Sequence, residues 1–417
     1  MANTLPPRVR PLASSNRILG VDLARGLAVV GMFAAHILII EDFDWSEPGT
    51  WADIVNGRSS ILFAMLAGIS IAILSGGTRP KDGVPLLRAR MRIVVRALLL
   101  FVLGGLLTGL GTPVYVILEY YAVLFVLALP FLRWRPRQLF LLAAVLTLVL
   151  PVLQLVLSRL YEPLGFEDAA IVELLVTGNY PAMIWIVFVL VGLGLGRLDL
   201  ANATIRLRML ASGAVLAVVG YCLGALAAAG DPDAADAARD SLETASGDID
   251  WSRAFDLTPL ATLEAHSGSP FEIVGSLGFA IAVLAICLLV AQRARSILFP
   301  LIATGSMPLT AYSVQLLALF AIGASSYWVQ DSDNGFLFLT LTLVIMAGCS
   351  LWALTIGTGP LEQVLKQVSQ RAASIADHRT GAPPAGPVLD PDSALDPDPG
   401  LDTDPALETD PPRRTVL

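Results

Sequence analysis

Long apolar runs separated by short polar stretches recur along this chain. Ten of them, at about 18–40, 59–76, 93–111, 114–132, 139–159, 181–197, 209–229, 271–291, 297–322 and 336–357, are long enough to predict membrane-crossing helices. The pattern predicts an all-α, polytopic integral membrane protein. An even number of crossings places both termini on one side.

The first run, RILGVDLARGLAVVGMFAAHILII, departs from the others because it carries Asp22, Arg25 and His36. At ~100° per residue, positions eleven apart point nearly the same way. Arg25 and His36 therefore share a helix face, about 16 Å apart along the axis. Asp22 lies one turn before Arg25 and can pair with it. Ionisable groups within a span are costly and usually face a protein interior or a wet cavity, which makes this helix the leading functional candidate. The plainer alternative is an ion pair that fixes orientation, with an interfacial histidine at the far end.

Polar stretches delimit the rest. Residues 1–16 read as a cytoplasmic leader, 17–370 as the membrane domain with halves 17–200 and 201–370, and 230–270 as a long outer loop. Residues 371–417 repeat Asp-Pro units (LDPD, LDPDP, LDTDP), a composition that predicts a disordered acidic cytoplasmic tail.

Composition agrees with the pattern: 55% of residues are apolar, 15% are charged, and the mean hydropathy is +0.70. The net charge of −8 comes largely from the tail. Basic residues cluster at 79–92, 133–137, 197–208 and 293–295, whereas the alternate loops hold only Arg58, Arg239 and Arg253. This asymmetry predicts cytoplasmic termini. A polar, arginine-bearing leader and the charges within the first run predict that this run is not a cleaved signal. No basic patch suggests a nucleic acid. Cys222, Cys287 and Cys349 lie in apolar runs without a CxxC pair, so small packing residues are expected rather than a disulfide or a metal site.

Candidate chemistry falls into two sets. His36 and His266 lie toward the outer face, where either imidazole can act as a general base near neutral pH. Asp53, Glu119 and Glu272 are the carboxylates at a similar depth; they orient such a ring or are simply solvated. At the inner boundary, Arg25, Arg96 and Arg197 can clamp a phosphorylated ligand, or serve as snorkelling anchors. The GLGLG run at 192–196 sits inside an apolar helix, which favours close helix packing over a nucleotide loop.

Several segments, in order, resemble a known family. RILGVDLARGLAVVGMFAAH at the first run resembles the opening signature of the heparan-α-glucosaminide N-acetyltransferase catalytic-domain family and its bacterial YeiB-like relatives. WADIVNGRSSILFAMLAGIS (51–70), ILEYYAV (117–123) and YPAMIWIVFVLVGLGLGRLDL (180–200) resemble later elements of that family. HSGSPFEIVGSLG (266–278), PLIATGSMPLTAYSVQ (300–315) and GPLEQVL (359–365) resemble the YeiB-like carboxy-terminal half. The resemblance implies acyl transfer across a membrane, with acetyl-CoA used from the cytosolic side and a sugar acetylated on the far side. The family's essential histidine lies in the loop after the first span. Here that loop, EDFDWSEPGTWAD, has none, and His36 stands at the helix end instead.

Together these readings predict a membrane acyltransferase, and the resemblance to bacterial relatives implies a bacterial plasma (inner) membrane. Acyl-CoA, most simply acetyl-CoA, would bind through Arg25, Arg96 or Arg197, with Asp22 holding Arg25. His36, or else His266, would deprotonate an envelope sugar or glycolipid, oriented by Asp53 or Glu272. No metal is expected. Lipid, acyl-CoA and the acceptor are the partners, with room for a homo-oligomer. The competing readings are a transporter or flippase of an envelope precursor, and a non-catalytic scaffold.

Overall fold

The computed structural model describes residues 17–161 (apart from 42 and 45), 169–230, 256–323 and 334–380. Two units separate, residues 1–374 and 375–417; of the second, the described residues 375–380 continue a helix. The expected leader, most of the outer loop and the tail beyond 380 lie outside the described residues.

All described regular structure is helical. The helices are α1 (Leu19–Ile37), α2 (Arg58–Leu74), α3 (Gly83–Thr108), α4 (Leu118–Leu127), α5 (Pro136–Tyr161) and α6 (Ala182–Leu195). They continue with α7 (Ala203–Gly230), α8 (Pro270–Val290), α9 (Phe299–Ser306), α10 (Pro308–Ala321), α11 (Gly335–Thr355) and α12 (Pro360–Thr380).

Each of the ten expected runs is helical, but they differ in form. Among the described residues, seven helices are long and apolar enough to cross a membrane. An eighth crossing arises if α6 is joined to the turn at Ala170–Thr177, across a 54° bend. The run expected at 114–132 contains only the ten-residue α4, followed by a tight turn over Leu129–Arg133 that includes Pro130. The run at 297–322 is two helices, broken at Met307 because Pro308 cannot continue the preceding backbone ladder. The last helix also passes the expected membrane-domain boundary at 370 and runs to Thr380, immediately before Gly381.

The bundle is organised around α1, which packs against α2, α8, α9, α10 and α11. Its apolar window is 72% buried, against 22% for α7 and for α11, so α1 is central and those two are peripheral. In lipid, apolar burial alone does not draw helices together; close backbone approach does, and it needs small residues. Gly305 on α9 faces the Asp22 carbonyl and the Gly26 amide of α1, and Gly26 faces the Leu301 carbonyl. The glycines of the 192–196 run act in the same way: Gly192 lies on the Met65 carbonyl of α2 and Gly194 on the Phe140 ring of α5.

A methyl group at Gly305 would press on backbone, which cannot rotate away. Gly305→Ala should therefore destabilise the detergent-solubilised protein by about 1–3 kcal/mol, the usual cost of overpacking. Gly348→Ala, where a Cβ meets nothing within 4 Å, is the matched control in thermal unfolding.

The break between α9 and α10 frees amide groups that lipid could not satisfy. Glu362 of α12 takes them up. Its Oε1 accepts from the Leu309 and Thr310 amides at 2.8 and 3.1 Å, and its Oε2 accepts from Thr310 Oγ1 at 2.6 Å. The carboxylate sits at the amino end of α10, where the helix dipole also favours negative charge.

Candidate active site

The expected pairing on α1 is present and larger than expected. Asp22 Oδ1 accepts from Arg25 Nη1 at 3.0 Å, and Asp22 Oδ2 lies 3.2 Å from Arg17 Nε. Arg25 Nη2 also donates to Ser70 Oγ on α2 at 2.7 Å, and Arg17 Nη2 donates to the Ser306 carbonyl on α9 at 3.0 Å. Asp22 is thus a buried anion between two cations, each tied to a different helix.

These groups stand at one end of a cavity of about 380 Å³. Arg96 and Glu362 join Arg17, Asp22 and Arg25 in its wall, and Arg96 Nε makes a long 3.4 Å contact to Ser369 Oγ. The rest of the wall is apolar or aromatic, including Met32, Phe63, Leu100, Phe125, Tyr121 and Tyr312. Such a lining suits a ligand with an anionic head and an apolar or flexible arm.

Neither histidine lines this cavity; His36 stands behind its Tyr312 wall. The half-buried His36 ring meets Tyr312 edge-on at 5.9 Å between centroids, and its Nδ1 lies 3.0 Å from Gln315 Oε1. On the other side, His266 meets Tyr180 at 5.2 Å and stacks on Trp185 at 6.2 Å. Tyr121 and Tyr312 both line the cavity, and Tyr180 meets Tyr120, the chain neighbour of Tyr121, at 5.5 Å between centroids. His36 and His266 thus flank a cluster of phenols.

The two rings are held differently. His266 has φ +66°, in the left-handed region that non-glycine residues rarely adopt. Burial pushes its imidazole down to about 4, a displacement partly opposed by the Asn179 backbone, so the ring is neutral at ordinary pH. Its loop is clamped by Glu272: Oε1 accepts from the His266 amide and Oε2 from the Gly268 amide, both at 2.8 Å. Ser267 Oγ adds a bond to Oε2 at 3.2 Å. Ser269 caps α8, accepting from the Glu272 amide at 3.0 Å, with Pro270 in the first turn.

The remaining expected residues fall elsewhere. Glu272 holds the backbone of the His266 loop and not the ring, because three donors of its own helix entrance already occupy its oxygens. Asp53 pairs with Arg58 at 3.9 Å and accepts from Asn56 Nδ2 at 3.2 Å, in a separate polar hollow, and reaches neither imidazole. Glu119 accepts from Thr108 Oγ1 at 3.1 Å between α4 and α3. Arg197 is 4% exposed and does not line the arginine cavity. It donates to the Ala72, Gly77 and Leu132 carbonyls and to Ser75 Oγ, and burial pushes its guanidinium down to about 10. It is a backbone clamp beyond the end of α6.

Sequence reasoning missed Arg17, Ser70, Tyr312, Gln315 and Glu362 as site residues. Gln315 carried a signal, since it is a long polar side chain followed by the apolar run LLALF. Among the described residues, no group of three or more His, Cys, Asp or Glu side chains is arranged to hold a metal.

Residues 17–224 match the family model described as heparan-alpha-glucosaminide N-acetyltransferase, catalytic. Residues 253–372 match the one described as protein of unknown function, DUF418. The first match runs past the division expected at 200. No curated protein matched the chain. In this helical chain, residues 17–224 are thus similar to a heparan-alpha-glucosaminide N-acetyltransferase catalytic region, and residues 253–372 to a DUF418 region.

Proposed function

We propose that this protein transfers an acyl group, most simply acetyl, from acyl-CoA on the cytoplasmic side to the hydroxyl or amine of a cell-envelope sugar or glycolipid on the other. The observation that carries this reading is the cavity along α1, with three arginines at one end and the phenol cluster beside His36 at the other. The helix rise sets Arg25 and His36 about 16 Å apart, a length suited to an extended pantetheine arm. The distribution of arginines supports a cytoplasmic arginine end.

In this reading Arg17, Arg25 and Arg96 hold the donor's phosphates, and the thioester lies near Tyr312. His36 Nε2 takes the proton from the acceptor O–H or N–H, and the acceptor atom bonds to the thioester carbonyl carbon. The C–S bond then breaks, and the departing thiolate recovers the proton from the imidazolium. Asp22 keeps Arg17 and Arg25 in position. Asp53 and Glu272 shape the outer hollow and the His266 loop, and Arg197 braces the inner loops.

Purified protein in detergent, given labelled acetyl-CoA and glucosamine or envelope lipid extract, tests the reading directly. Label transfer supports it, whereas acetyl-CoA that neither binds nor donates would sink it. Arg96→Ala should raise the KM for acetyl-CoA about tenfold or more, as expected for one charge-assisted bond of roughly 1.5–3 kcal/mol. A KM unchanged in that variant would remove Arg96 from the donor site.

A further inference from the structure

The match to a family of unknown function covers α8 to the first part of α12, yet that region is not a separate module. Its α9 and α10 lie directly on α1, and Tyr312, Leu309 and Glu362 form part of the cavity wall. We infer that this region completes the reaction centre and acts on it through Gln315, a positioning residue that fixes the tautomer of His36. The inference rests on the acyl-transfer reading given above.

Gln315 is fully buried in a mostly apolar helix. An amide there is costly unless hydrogen bonds compensate, and a leucine would fill the space at no such cost. Among the described residues only its oxygen finds a partner, His36 Nδ1 at 3.0 Å. An amide oxygen can only accept, so Nδ1 must carry the hydrogen and the lone pair is left on Nε2. That is the form able to take a proton from an acceptor. Tyr312, from the same helix, limits ring rotation from the side.

The other end of the amide points the same way. Gln315 Nε2 donates to nothing among the described residues, although buried donors are usually satisfied. A purely structural glutamine would be expected to use both ends; here an N–H is left over beside the proposed base, suited to a ligand oxygen. Through the reaction His36 Nε2 gains a proton from the acceptor and returns it to the thiolate, while Nδ1–H stays on Gln315. Donor, acceptor and imidazole balance without a further reactant.

The test uses the full-length protein in detergent, labelled with ¹⁵N-histidine, with His36→Gln serving to assign the His36 signals. Wild type should show a protonated Nδ1 and a bare Nε2 at neutral pH. Gln315→Leu should lose that signature and lower kcat for acetyl transfer to glucosamine about tenfold or more, a part of the ~10²–10⁴ a general base supplies. Its KM for acetyl-CoA should stay within about twofold, since the arginines lie a cavity's length away. Gln315→Glu, which keeps an acceptor at Nδ1, should restore the signature and much of the rate. An unchanged His36 signature in Gln315→Leu, or an unchanged kcat, overturns the inference. Wild type without any acetyl transfer would overturn the acyl-transfer reading instead, and the tautomer measurement would still decide whether Gln315 sets the ring.

Discussion

Replacing His36 by glutamine should reduce acetyl transfer by about 10²–10⁴-fold while leaving acetyl-CoA binding intact, the loss expected when a general base is removed. The two effects separate because the residues are separate. The cations that would hold the donor stand at the Arg17–Arg25 end of α1, about three turns from the ring. Glutamine keeps a polar group of similar reach, so the α1–α10 contact should survive and the protein should unfold at nearly the wild-type temperature. His266→Ala is the comparison. It removes a ring lodged between Tyr180 and Trp185, and should lower stability through the void it leaves. Its Glu272 clamp is made through the backbone and remains available. Initial rates and equilibrium binding of labelled acetyl-CoA on both variants decide the matter. A His36→Gln enzyme with full activity, beside an inactive but folded His266→Ala, would move the catalytic role to His266.

Asp22→Ala should be the most destabilising single change, at about 3–5 kcal/mol, the cost typical of breaking a buried ion pair from one side. Asp22 is 3% exposed, and Arg17 and Arg25 both depend on it for countercharge. Removing it leaves two cations close together and partly withdrawn from water. Adding Arg25→Met should recover a substantial part of the loss, because the remaining Arg17 is more exposed and keeps its bond to the Ser306 carbonyl. Thermal unfolding of the single and double variants in detergent measures the coupling. Equal stabilities for wild type and Asp22→Ala would show that water already screens this cluster.

The helical architecture and the Asp22–Arg25 pairing on α1 were legible because both follow from local pattern. Apolar run length decides what can span, and eleven-residue spacing puts Arg25 and His36 on one face. The assignment of partners was less accessible, because it depends on what the tertiary fold brings alongside. Arg197 looked like Arg25 in sequence, a cation at an inner boundary, yet both its terminal nitrogens are taken up by carbonyls from the α2 end and the turn after α4. Asp53 and Glu272 lay at plausible depth for orienting an imidazole, but a nearer arginine and nearer amides occupy them. Gln315 and Glu362 went unassigned because a polar residue on a helix does not reveal which neighbour from another helix it serves. The break at Met307 was written in the sequence as Pro308, and was masked by the continuous apolarity on either side.

The locking of α1 to its neighbours has a mechanical consequence. At one end Arg17, Asp22, Gly26 and Gly305 join it to α9 by ion pair, hydrogen bond and backbone contact. At the other, His36 is bonded to Gln315 on α10, and Glu362 ties α10 to α12. Together these fastenings make α1, α9 and α10 a strut held at both ends. A rocking cycle that opened first one face and then the other would have to break several of these fastenings, or else carry all three helices as one body. A stationary strut suits a machine in which the reactants travel and the framework stays still.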